Sequence, residues 1–123
     1  MSRDHSRLDA FMLADQLAIG VYVATGDLPV TETYGLRALV RRAAVSAATN
    51  LVEGCSRDSD REFVRFLGVA LGSTREVIYL IDLAHRLKLL AAKEASELST
   101  LGGRTAAAIA GLKNAVKARY KAS

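Results

Sequence analysis

Residues 59–90 read SDREFVRFLGVALGSTREVIYLIDLAHRLKLL, and this stretch decides the fold. Phe63, Leu67, Ala70, Thr74, Val77, Ile81 and Ala84 recur every three or four positions, the period that lines one stripe of an α-helix. Arg61, Arg65, Gly68, Gly72, Arg75, Tyr79, Asp82 and Arg86 recur at the same period on another face. Ser59-Asp60-Arg61-Glu62 reads as a capping box, in which the serine accepts from one orphan backbone N–H and the glutamate from another. The spacing predicts a helix over 60–90.

A helix with one apolar stripe needs other elements to cover it. Upstream, Leu36, Leu39, Val40, Ala43, Ala47 and Leu51 mark a helix over 32–53, capped by Thr31 and closed by Gly54 as the left-handed residue beyond its end. Phe11, Ala14, Ala18, Val21, Tyr22 and Thr25 mark an earlier helix over 8–25, broken by Gly26, Asp27 and Pro29. That first helix carries a second apolar strip, Met12, Ile19 and Val23, which a lone monomer has little reason to carry. Downstream, Leu98, Leu101, Ala108, Ile109, Leu112 and Val116 predict a fourth helix over 94–120. Gly102-Gly103 interrupts it at about 1 kcal/mol per glycine relative to alanine, which predicts a kink or frayed start. The turn between the last two helices falls within 89–95, unmarked by glycine or proline. With no strand alternation, repeat or linker, the expectation is an all-α, antiparallel up-and-down four-helix bundle forming one domain over 1–123.

Composition sets the outer limits. Half of the 123 residues are hydrophobic and 24% are charged, which excludes a disordered chain. The longest uncharged stretch, Gln16 to Gly26, falls well short of the ~20 residues of a membrane span, so no membrane partner is expected. The N-terminus has acidic residues and no apolar signal region, and a lone cysteine fits a reducing cytoplasm. The net charge is +4, and Lys113, Lys117, Arg119 and Lys121 account for all of it, because thirteen basic and thirteen acidic residues balance over 1–112.

Catalytic chemistry finds little footing. His5, Cys55 and His85 are the only imidazole or thiol ligands and show no metal-ligand spacing, so neither metal nor cofactor is expected. Cys55 reads as a half-buried loop residue, since no histidine is placed to serve as its base. Gly68-Val69-Ala70-Leu71-Gly72-Ser73 lies inside a helix and lacks the lysine of a phosphate loop; its glycines, four apart, read as a site of close helix packing. Glu53, Glu62 and Glu76 lie among Arg42, Arg57 and Arg65 and read as charge-paired structural groups. The chain is therefore not expected to be an enzyme. Basic residues at Arg41, Arg42, Arg57, Arg61 and Arg65 and in the tail can neutralise phosphates. Asp58, Asp60 and Glu62 interleave with the first group, and only Tyr34, Tyr79 and Tyr120 lie near enough to stack bases.

One run is more specific. Tyr34-Gly35-Leu36, Arg41-Arg42-Ala43-Ala44-Val45-Ser46, Asn50-Leu51-Val52-Glu53-Gly54-Cys55-Ser56-Arg57, and Glu62-Phe63-Val64-Arg65-Phe66-Leu67 through Gly72-Ser73 and Glu76 resemble the 23S rRNA intervening-sequence proteins. Ala14, Leu17 and Tyr22, then Thr25 and Leu28-Pro29, extend the likeness, which spans roughly 8–90. The family's Ser-Ile-Pro is Ser46-Ala47-Ala48 here, so a straighter second helix is expected. Its Gly-Tyr after helix three is replaced by Lys88-Leu89-Leu90. The resemblance implies a four-helix bundle assembling as a ring-shaped homopentamer, with a poorly defined biochemical role. A similar bundle, the accessory protein of diversity-generating retroelements, binds nucleic acid and a reverse transcriptase, so nucleic acid or a nucleic-acid enzyme is implied as an alternative partner.

Two readings follow from different classes. One is a non-catalytic helical assembly module whose structural polar cluster is Arg42, Asn50, Glu53, Arg57, Glu62, Arg65 and Glu76, with a Glu53 to Arg65 or Glu62 to Arg57 ion pair across helices two and three. The other is an RNA- or DNA-binding accessory protein with Arg41, Arg61, Lys113, Lys117, Arg119 and Lys121 as its phosphate contacts.

Overall fold

In the computed structural model, which describes residues 3–33 and 35–122, four helices carry the fold: α1 (Asp9–Ala24), α2 (Leu36–Cys55), α3 (Asp60–Arg86) and α4 (Ala92–Ala122). Tyr34 and the side chain of Lys121 lie outside the described residues. Each helix packs on the one before it, and α4 closes against α1. Neighbours run antiparallel, as Ser46 meeting Ser73 and Gly54 meeting Phe63 show for α2 and α3. The seven residues of the α3 stripe are all buried, and its opposite face is exposed save for half-buried Gly68. The α1 bounds fall within one residue of those expected from the sequence.

The core has two lobes. Toward the end where α1 stops lie Leu17, Val21, Leu28, Val40, Ile81 and Leu98. Toward the other end lie Leu51, Cys55, Phe63, Leu67, Ile109 and Val116. Three fully buried threonines, Thr25, Thr74 and Thr105, satisfy their hydroxyls by donating to the carbonyls four residues back, Val21 at 2.7 Å, Ala70 at 2.9 Å and Leu101 at 2.8 Å. An unpaired hydroxyl in this core would be costly, and the backbone oxygens remove that cost.

Helix ends depart from expectation for identifiable reasons. Pro29 is followed by a 3₁₀ turn at Val30–Glu32, so α2 starts at Leu36 rather than near 32. Thr31 caps nothing; Glu32 does the work, its Oε1 accepting from the Leu36 N–H at 3.0 Å. Gly54 is helical, and no glycine among the described residues has positive φ. Its value is closeness: a Cβ there would sit 3.0 Å from both Phe63 Cδ1 and Phe66 Cβ. The capping box forms only by half. Ser59 Oγ accepts from the Glu62 N–H at 3.1 Å, while both Glu62 carboxylate oxygens turn to Arg65. Gly102-Gly103 leaves α4 unbroken, and α4 begins at Ala92 rather than 94. Gly72 has nothing within 4 Å of where a Cβ would lie, so no helix of this chain packs on it.

The helix ends at Arg86, not near 90, because Lys88 adopts φ 63°. Leu89 N–H donates to the Ala84 carbonyl at 2.8 Å and Lys88 N–H to that of His85 at 2.9 Å. These two bonds define a Schellman terminus, whose left-handed position normally holds glycine. A side chain in that conformation costs roughly 1–2 kcal/mol. Lys88→Gly is therefore expected to raise the stability by about 1 kcal/mol, the remainder going to the greater freedom of glycine in the unfolded chain. An unchanged or lowered urea midpoint would count against this account of the turn.

Candidate interaction surfaces

The polar residues expected to form one cluster divide into separate sets. Asn50 Nδ2 donates to the Ser46 carbonyl at 2.8 Å and Oγ at 3.1 Å, and Ser46 Oγ lies 2.9 Å from Ser73 Oγ, tying α2 to α3. Glu53 pairs with Arg57 at 2.8 Å and Glu62 with Arg65 at 3.1 Å. Both carboxylates thus find arginines within their own segments, three or four residues away, and the expected Glu53–Arg65 and Glu62–Arg57 pairs do not form. Residues at that spacing are already neighbours on a helix surface, so the local partner wins. Arg57, just beyond the end of α2, and Arg65 on α3 both approach the Phe66 ring, 4.7 and 4.5 Å from its centroid. The Arg65 guanidinium holds the Glu62 carboxyl below its usual range, with a smaller share from the charge of Arg57. Arg42 and Glu76 are exposed and make no ion pair among the described residues.

The candidate phosphate contacts divide as well. Arg119 donates from Nε and Nη2 to both oxygens of Asp60, each at 3.0 Å. Arg3 joins the same carboxylate and donates to the Arg57 carbonyl at 3.0 Å, with its guanidinium 4.3 Å from the Phe63 ring centroid. Arg119 first, and then Arg3, hold the Asp60 carboxyl below its ordinary value. Arg41 donates to Thr25 Oγ1 at 2.9 Å and to the Tyr22 carbonyl at 3.0 Å, over the Tyr22 ring. The tail is thus not a wholly unpaired excess of charge. Arg61 lies 6.0 Å from the Tyr120 ring centroid, and Lys113 and Lys117 are half-buried on α4.

Arg37 was not singled out by sequence reasoning. Its Nε donates to the Thr25 carbonyl at 3.0 Å and its Nη2 to that of Leu28. The signal was the four-residue spacing of Arg37 and Arg41, which places both on the α2 face toward the end of α1, where helix carbonyls lack intrahelical partners. Together with Arg42, Tyr22 and Val45 they line a cleft of about 470 Å³ between α1 and α2. On the other flank of α1, Gly20, Val23, Ala24, Leu98 and Leu101 line a cleft of about 340 Å³ rimmed by Glu94 and Glu97. Between the clefts, Tyr22 and Val23 stand out from α1.

Cys55 is fully buried in the last turn of α2 rather than half-buried in a loop, and burial pushes its thiol up. A thiolate nucleophile needs the opposite shift. His5 meets Phe11 edge-on at 4.8 Å between ring centroids, and His85 Nδ1 lies 3.2 Å from the Leu90 carbonyl oxygen. No group of three His, Cys, Asp or Glu side chains suited to a metal occurs among the described residues. No helix among them is long and apolar enough to cross a membrane.

The family profile described as 23S rRNA-intervening sequence protein matches residues 6–111. The chain belongs to that family. The 23S rRNA-intervening sequence protein match takes in all of α1, α2 and α3 and most of α4. A solved structure from Bacteroides thetaiotaomicron VPI-5482, a protein of unknown function from the S23 ribosomal protein family, superposes with TM-score 0.76 at 14% identity. The likeness covers 85% of this chain and 97% of that one, and it establishes the shared fold. No curated protein matches the chain.

Proposed function

We propose that this 23S rRNA-intervening sequence protein is a non-catalytic helical module that assembles with copies of itself into a ring. The observation that carries the reading is the strip on α1: Met12, Ile19 and Val23 are 50%, 60% and 75% exposed. They share one side of a helix, and Met12 and Val23 border hollows along the α1–α4 seam. Apolar side chains that recur along one helix face mark a contact surface rather than scattered exposure. Burying them removes about 25 cal/mol of unfavourable hydration per Å². Five copies is the number that the family resemblance implies. The raised thiol of Cys55 supports the absence of nucleophilic chemistry. A nucleic-acid role is the lesser reading, because Arg41 and Arg119 already serve Tyr22, Thr25 and Asp60, leaving Arg61, Lys113 and Lys117 among the described side chains.

Light scattering coupled to gel filtration at micromolar concentration tests this. The wild-type chain is expected to elute as a discrete oligomer, and Ile19→Glu with Val23→Glu as a folded monomer. A wild-type monomer under these conditions would refute self-assembly.

A further inference from the structure

We propose that the arginine cleft between α1 and α2 of one copy seats against the glutamate-rimmed cleft between α1 and α4 of the next, an inference that rests on the self-assembly reading. Charge is the first argument. Arg37, Arg41 and Arg42 line one cleft with no acidic residue among its walls. Glu94 and Glu97 rim the other, exposed and without an ion pair among the described residues. The carbonyls of Tyr22, Thr25 and Leu28 fix Arg37 and Arg41 in place, so their remaining N–H groups are held without further ordering cost. Arg42 has no partner among the described residues and is the cation left to reach across. Apolar walls accompany the charges on both sides: Ala38 and Val45 in one cleft, Val23, Leu98 and Leu101 in the other.

Position is the second argument. Both clefts lie at the same end of the bundle, where α1 stops and α2 and α4 begin. Rotation about an axis parallel to the helices preserves height, so the two clefts of successive copies meet level with one another. The clefts occupy adjacent grooves of a four-helix bundle, which face about 90° apart. A closed ring of four or five copies needs about 90° or about 108° between the two contact faces of each copy, while a trimer needs about 60° and a dimer about 0°. The contact is heterologous, each copy using two different patches, and the angle closes it into a small ring instead of a filament.

Charge reversal tests the pairing. Arg42→Glu alone, and Glu94→Arg with Glu97→Arg, are each expected to bring the mass measured by light scattering at low salt down to that of the monomer. The chain carrying all three reversals is expected to regain the wild-type mass. Because these positions are exposed and unpaired, each variant should retain the wild-type helical circular dichroism. If the single-sided reversals assemble like wild type, or the triple reversal stays monomeric, this pairing is wrong. The first of those outcomes leaves self-assembly standing through another surface, whereas a monomeric wild-type chain overturns both.

Discussion

Replacing Phe63 with alanine is expected to remove about 3–5 kcal/mol of stability, the range for deleting a buried phenyl ring and leaving a cavity. The upper part of that range applies here because the walls have little room to collapse. Phe63 is 2% exposed and packs with Leu51, Cys55, Leu67, Ile109 and Val116. Gly54 approaches so closely that its missing Cβ would already crowd the ring, and that backbone is locked in the last turn of α2. Above the ring, Arg3 lies 4.3 Å from the centroid while bonding Asp60 and the Arg57 carbonyl. Losing the ring therefore also strips a cation–π contact of about 0.5–1 kcal/mol. Phe66→Ala is the control. Phe66 is half-buried between two arginines, and its loss is expected to cost markedly less. Urea midpoints at one fixed protein concentration give the comparison, since assembly couples stability to concentration. Equal losses for the two substitutions would refute the packing argument.

The sequence displayed periodic burial well and local closures poorly. The α3 stripe from Phe63 to Ala84 was readable because a period of 3.6 is a property of the segment itself. The exposed strip of Met12, Ile19 and Val23 was readable for the same reason. Gly54 was not, because a glycine after an apolar run suits either a left-handed terminus or a tight crossing. Only the position of Phe63, nine residues on, separates the two. Lys88 reversed the error: the left-handed residue exists, but lysine occupies it. The ion pairs of Glu53 and Glu62 were assigned across the helices although arginines four and three residues away already lay within reach. Arg37 and Arg41 escaped notice in their bracing role because their acceptors are main-chain oxygens, and any sequence offers those at a helix end.

The net charge takes on a spatial meaning as well. Of the four tail cations, Arg119 is bound to Asp60, which Arg3 also engages. That carboxylate sits in the first turn of α3, where a negative charge also favours the helix dipole. The three residues therefore join the N-terminal segment, the α3 start and the α4 end. The formal charge counts this arginine as free, whereas its position makes it a structural clasp. The arginines at the opposite end of the bundle, in the α1–α2 cleft, face no acidic residue of their own walls, although they lie in a segment whose overall charge is balanced.

Gly102 and Gly103 are adjacent in sequence, yet alanine is expected to stabilise the chain at Gly103 and not at Gly102. Both lie inside an unbroken α4, where alanine gains about 1 kcal/mol over glycine by helix propensity alone. Gly103 has nothing within 4 Å of where a Cβ would stand, so Gly103→Ala should realise that gain in full. A Cβ at Gly102 would meet Ile78 Cγ1 at 2.7 Å and Cδ1 at 3.3 Å. Cγ1 is close to the α3 main chain and cannot swing aside as a long side-chain tip does. Overpacking of this kind costs roughly 1–3 kcal/mol, which exceeds or cancels the propensity gain. The two substitutions should therefore differ by about 1–3 kcal/mol in urea unfolding at fixed protein concentration, since the propensity term is common to both. Gly102→Ala combined with Ile78→Ala separates the causes. If the clash is the origin, the pair is better tolerated than the sum of its single losses, a coupling that a double-mutant cycle reads directly. If Gly102→Ala stabilises the chain as much as Gly103→Ala does, then α3 and α4 do not need the glycine to approach one another. The small residue would then reflect nothing about this crossing.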